Sequence, residues 1–285
     1  MLHLQEFTVG ELNFAFCYHL YLRWHTYRRT PLPVTDFEDT SALEARLEEL
    51  DVHLLDIKTH GKTDIGSLLS LNPFTSTSVA ASRIKGQCSR WMRERFDIDR
   101  KKLFGRGYFA TTCGKNNEKV LMRYLECQKE HHSYVGPGPS PAYAERYKLT
   151  AEQNKRLQTN HARTRLHFHF VLSTERRQGF FGRRHAEAMT EKIREIANDN
   201  GFGLLKVSFV PDHVHLAMCL HPTTVPAELV TVLLNEMQDL AAEEFQEQVR
   251  EKALNRLWEP GAYVGSFGDL SSASIKKYMS NWSAE

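Results

Sequence analysis

The chain has 285 residues, 41% of them hydrophobic and 25% charged, with a formal net charge of +2. That balance excludes a disordered or fibrous chain and gives no whole-chain sign of a nucleic-acid binder. No apolar run reaches the ~20 residues of a membrane helix, no basic-then-apolar leader opens the sequence, and five cysteines form no CxxC pair, so a cytoplasmic protein without a membrane partner or disulfide framework is expected.

In chain order, HLYLRWHTYRR (19–29) reads as a strand ending in a basic turn, Arg28–Arg29. SALEARLEEL (41–50) is an amphipathic helix and LLDIKT (54–59) a strand. STSVAASRIKGQCSRWMRERF (76–96) is a second, basic helix, in which Arg83, Gln87 and Arg90 share a face at helical spacing and Arg93 and Arg95 extend it. Such a run can equally be a solvated helix face. An aromatic strand follows, then a helix in which Tyr124 and Gln128 stand at i and i+4, one turn apart on one face. VGPGPSPAY (135–143) can continue neither a helix nor a central strand. Residues 135–162 therefore read as a Pro/Gly-rich linker between domains 1–134 and 163–285, with KLTAEQNKRLQTNHA able to form a short helix inside it.

The same plan then recurs. HFHFVLSTERR (167–177) lies over 19–29 and ends in Arg176–Arg177; HAEAMTEKIREIAND is a helix; LLKVSFV (204–210) is a β-branched strand between Gly203 and Pro211. The next helix, PAELVTVLLNEMQDLAAEEFQEQ, is acidic where its counterpart is basic. Finally 257–282 lies without a gap over 103–128, setting Tyr278 on Tyr124 and Trp282 on Gln128. The expected fold is α+β, two tandem domains, each an antiparallel sheet with helices packed on it.

VPDHVHLAMCL (210–220) is the sharpest local motif. His213 and His215, two apart on a strand, project from one face about 7 Å apart along the backbone. They either converge on one divalent metal or form a hydrogen-bonded pair of buried histidines. Asp212 either orients His213 or is a turn residue after Pro211. At the matching place the first half has Asp64-Ile65-Gly66.

PDHVH at 211–215, the glycine-aromatic strands and the Tyr-x-x-x-Gln of YLECQ (124–128) together resemble the single-tyrosine HUH transposases of small bacterial insertion sequences, the REP-associated tyrosine transposases among them. The resemblance spans nearly all of both halves outside the linker. It implies RRM/ferredoxin-like HUH domains that cut and rejoin single-stranded or hairpin DNA through a 5′-phosphotyrosine. It implies Mg2+ or Mn2+ held by His213, His215 and Gln128, and Tyr124 as nucleophile, with Tyr278 the alternative. A phenol of pKa about 10 attacks a phosphate only if its phenolate is stabilised nearby.

Members of that family work as dimers in which the tyrosine helix of one subunit completes the histidine site of the other. For a fused pair this implies a monomeric pseudo-dimer with one composite site, His213/His215 with Tyr124/Gln128, and a dead counterpart, Asp64/Gly66 with Tyr278/Trp282. On this reading Arg83, Lys85, Gln87, Arg90 and Arg93, and the turns Arg28–Arg29 and Arg176–Arg177, become DNA-binding candidates. His19 and His167 read as structural or DNA-contacting. The competing function is a domesticated, non-catalytic binder of DNA hairpins; an RNA-directed role is a third reading. A zinc hydrolase is set aside because there is no HExxH and no third histidine at ligand spacing.

Overall fold

In a computed structural model of the chain, residues 2–32, 37–99, 101–114, 118–126 and 143–280 are described. The first half supplies β1 (Asn13–Thr26), α1 (Ser41–Glu48), β2 (Val52–His60), β3 (Asp64–Leu71), α2 (Thr77–Phe96), β4 (Phe104–Cys113) and α3 (Glu118–Glu126). The stretch read as linker is partly structured, giving β5 (Ala144–Arg146) and α4 (Ala151–Arg156), and β6 (Ala162–Arg165) follows. The second half has β7 (His167–Ser173), α5 (Arg183–Asn200), β8 (Gly203–Val210), β9 (His213–Cys219), α6 (Pro226–Glu244), α7 (Gln246–Glu251), β10 (Gly261–Phe267) and α8 (Ser272–Ser280). Among the described residues no helix is long and apolar enough to cross a membrane.

The ten strands among the described residues join in one sheet. The first half is ordered β2-β3-β1-β4 and the second β8-β9-β7-β10, antiparallel throughout. Equivalent residues keep equivalent partners: His25 faces Asp64 as Ser173 faces His213, and Arg23 faces Gly66 as Val171 faces His215. Even the bulges agree, falling between Leu54 and Asp56 in one half and Leu204 and Lys206 in the other. Each basic turn puts two arginines in the left-handed region, Arg28 and Arg29 at φ 52 and 55, Arg176 and Arg177 at φ 54 and 53.

The halves are joined by exchange. The start of β1 pairs in parallel with β10 (Phe14 with Ala262, Cys17 with Gly265), and β6 pairs in parallel with β4 (Tyr108 with Ala162, Thr111 with Arg165). The antiparallel expectation thus holds within each half, and the parallel pairs lie only between halves. Thr112 Oγ1 donates to the Phe267 carbonyl and Ser266 Oγ to the Cys113 carbonyl. Below the sheet, Ser78 N–H donates to the Pro222 carbonyl and Ala227 N–H to the Pro73 carbonyl.

Strand alternation sorts the two faces. Leu20, Leu22 and Trp24, with Phe168, Phe170, Leu172, Val214, Leu216 and Met218, form one core under α1, α2, α5 and α6. That core runs across both halves, with the Tyr18 and Phe168 rings 4.9 Å apart at their centroids. The opposite face carries the histidines and the two short helices α3 and α8.

Candidate metal and tyrosine site

His213 and His215 lie at the start of β9, and β7 and β8 pair with it on either side. Both imidazoles leave the sheet on the face opposite the helical core, as alternation requires. Their Nε2 atoms stand 3.0 Å apart. His213 Nδ1 meets Asp212 Oδ1 at 2.7 Å, and His215 Nδ1 meets His169 Nε2 at 2.9 Å. The His169 and His215 rings stack with centroids 5.2 Å apart. Burial pushes the His169 pKa down to about 4, so this imidazole is neutral and can accept a hydrogen bond. Burial works against the charge of Asp212, but the hydrogen bond and charge of His213, with Arg177 at 3.5 Å, hold its carboxyl below the usual range.

This arrangement fits a metal ion. In the tautomer with Nδ1 of each histidine protonated toward Asp212 and His169, each Nε2 offers its lone pair to the same space. Two nitrogens bound cis at about 2.1 Å to one octahedral ion are about 3 Å apart, which matches the observed pair. Among the described residues no group of three or more His, Cys, Asp or Glu is placed to hold a metal ion. The expected third ligand, Gln128, lies outside the described residues, as do Trp282 and the side chains of Tyr124 and Tyr278. The histidines border an open cleft of about 690 Å3, whose walls include Ala15, Val171, Arg177, Glu259 and Tyr263.

The helix bearing Tyr124 comes from the first half yet packs on the second. Met122 and Leu125 of α3 bury against Ala217 and Phe267, beside Leu205. Its carbonyls at Met122 and Leu125 accept from Lys206 Nζ at 3.3 Å and Ser208 Oγ at 3.4 Å. Lys206 pairs with Ala217 and Ser208 with His215, so α3 lies on the histidine face, one strand from His215. The helix bearing Tyr278 is placed in the opposite sense. Ile275 and Met279 of α8 pack on Tyr21, Leu68 and Cys113 of the first half.

The first-half counterpart of the cleft has lost its histidines. Asp64, in the place of His213, is held by Arg29 at 2.6 Å and Arg23 at 3.4 Å. Of the other candidates, Arg83 donates to the Leu50 carbonyl, Lys85 to the carbonyls of Gly105, Arg106 and Gly107, Arg90 to Glu94, and Arg93 to the Lys101 carbonyl. These residues and Gln87 sit on α2, on the face of the sheet away from the histidines, so they are not brought to the site. Arg28 lies over the Tyr27 ring and Arg176 donates to the Ala253 carbonyl; of the four turn arginines, Arg29 and Arg177 line the two clefts.

Sequence reasoning missed His169. It stands two residues after His167 in HFHF, an alternation like that of HVH, and only the register of β7 against β9 shows that it meets His215. His167 and the matching His19 lie at the junction of the halves: the His167 ring is tilted against Phe267 with centroids 5.3 Å apart, and His19 bonds Ser272 Oγ at 2.8 Å.

The family described as "Transposase IS200 like" matches the chain twice, at residues 16–128 and 162–282. The chain is similar to the ISDra2 transposase TnpA of Deinococcus radiodurans, 24% identical over 115 residues, 40% of this chain and 81% of that one. A solved structure described as a candidate transposase from Deinococcus radiodurans is 23% identical, covering 44% of this chain and 96% of that chain, with a TM-score of 0.38. A candidate glycine cleavage system transcriptional repressor covers 88% of this chain at 8% identity and a TM-score of 0.19.

Proposed function

Because the chain belongs to the IS200-like transposase family, whose pattern it carries in both halves, we propose that it is a single-stranded DNA strand transferase with one composite site. His213, His215 and Gln128 hold Mg2+ or Mn2+, and Tyr124 is the nucleophile. The observation that carries this reading is the packing of α3 from the first half beside the histidine strand of the second, through Met122, Leu125 and the register partner of His215, Ser208. The paired exchanges at the junction support reading the chain as a pseudo-dimer of domains 1–134 and 163–285. A closed fold of this kind satisfies in one chain what a symmetric dimer satisfies with two.

The ion, when bound, supplies Lewis acidity to the scissile phosphate. The chain supplies the rest. Asp212 and His169 keep Nε2 of each ligand histidine directed into the cleft. The Tyr124 hydroxyl loses its proton as its oxygen bonds to phosphorus, and the 3′-oxygen leaves and takes up a proton as a free 3′-OH. The phosphotyrosine conserves the bond energy, so a 3′-OH can reverse the step without a nucleotide cofactor.

A second reading, a non-catalytic binder of DNA hairpins, is favoured by the loss of histidines at Asp64 and Gly66. Labelled hairpin DNA incubated with Mn2+ and resolved on a denaturing gel separates the two. A covalent adduct is expected from wild type and Tyr278→Phe and none from Tyr124→Phe. Loss with Tyr278→Phe alone would put the chemistry inside the second half. An active preparation indifferent to both changes would sink the tyrosine mechanism, and a folded protein that binds but forms no adduct favours the second reading.

A further inference from the structure

The cleft with Asp64 and Gly66 in place of the His213/His215 pair is not simply emptied. By strand register, Arg23 lies beside Phe109 of β4, and Phe109 beside Arg163 of β6. The same row in the second half is Val171, Tyr263 and Ala15. An Arg-aromatic-Arg row thus stands where the histidine cleft has Val-aromatic-Ala. All three side chains point to the face opposite the helical core, as alternation requires. They border a cleft of about 490 Å3 shared with Arg29 and Asp64.

The charges change in step. Three arginines against one aspartate leave this cleft two positive charges, counting histidines as neutral. The histidine cleft has one arginine, Arg177, beside two carboxylates, Glu259 on its wall and Asp212 at 3.5 Å from the guanidinium. The first-half cleft is therefore the more positive of the two, through its guanidiniums alone. Among the described residues no carboxylate pairs with Arg163, whose side chain is exposed. Guanidiniums flanking an aromatic ring are the elements that hold a single strand, phosphates on the cations and a base on the ring.

We infer that the first-half cleft is a second, metal-independent binding site for the backbone of single-stranded DNA, built on Arg23, Phe109 and Arg163. The inference rests on the strand-transferase reading only for the identity of the strand as DNA.

The test uses the full chain and a 5′-fluorescein-labelled oligothymidylate, followed by anisotropy in EDTA across a salt series. Wild type binds in EDTA. Arg23→Gln/Arg163→Gln binds about tenfold or more weaker, and its log K against log salt slope falls by about 1.4, as for two lost phosphates on a single strand. Arg23→Lys/Arg163→Lys keeps the slope. Arg163→Gln alone, at an exposed position, takes about half the slope change and guards against misfolding of the double variant. Wild-type affinity and slope in both Gln variants would overturn the inference. The adduct assay is a separate readout: binding that depends on Arg23 and Arg163 without any adduct keeps this site and removes the composite one.

Discussion

At the histidine cleft each imidazole has one nitrogen facing the other and its second nitrogen held, by Asp212 for His213 and by His169 for His215. In the proposed metal site His169 acts as a positioning residue: by accepting from His215 Nδ1 it would leave His215 Nε2 with a lone pair. Replacing it with Phe keeps a ring in the stack and removes the acceptor. The expected result is a Mn2+ affinity about 10–100-fold weaker than wild type, followed by EPR of free Mn2+ during titration. An unchanged affinity would reduce His169 to a space-filling ring. The HVH pair was legible in the sequence because a strand has period two, which fixes that both side chains share a face. The partner of His215 was not, because it comes from a neighbouring strand and depends on register, which one sequence does not fix.

Among the elements, the ends of β4 and β10 approach each other closely at two glycines. A Cβ on Gly268 would lie 2.1 Å from the Thr112 carbonyl oxygen, and one on the equivalent Gly114 2.2 Å from that of Ser266. Both obstacles are backbone, so neither can swing aside, and the crossed hydrogen bonds of Thr112 and Ser266 lie in the same place. Gly268→Ala should cost about 2 kcal/mol or more in chemical denaturation. Gly86→Ala is the contrast: within α2, with open space around it, the change should add about 0.5–1 kcal/mol. Equal effects at the two positions would mean the junction is looser than its distances imply. Nearly every helix and strand was legible from periodicity, and the matched segments correctly named equivalent residues such as Asp64 and His213. What periodicity could not give was the side of the sheet. The arginines of α2 do share an outward face, but the helix lies under the sheet while the histidines lie above it. Nor could it show that part of the Pro/Gly-rich linker region joins the sheet as β5.

For the whole molecule, the question is whether the tyrosine helix serves its own chain. The route of the backbone argues that it does. The carbonyls of α3 bond Lys206 and Ser208 on one face of β8, and β5, the next described strand, pairs with those same residues, Arg146 with Lys206 and Ala144 with Ser208. Residues 127–142 therefore have only to connect two elements already seated on one strand, far less than their extended reach of about 3.3 Å per residue allows. Mixing two inactive variants tests this. Tyr124→Phe retains the histidines and lacks the nucleophile; His213→Ala/His215→Ala retains the nucleophile and lacks the ligands. If α3 stays with its own chain, an equimolar mixture forms no adduct at any protein concentration, and the wild-type rate per chain is independent of concentration. If chains instead trade α3 between two copies, half the pairs are mixed and one of the two sites in each is whole, so the mixture recovers about a quarter of wild-type adduct. That recovery would move the composite site from one chain to a pair of chains. Its absence, with both variants folded and binding DNA, leaves the fused chain as the complete catalytic unit.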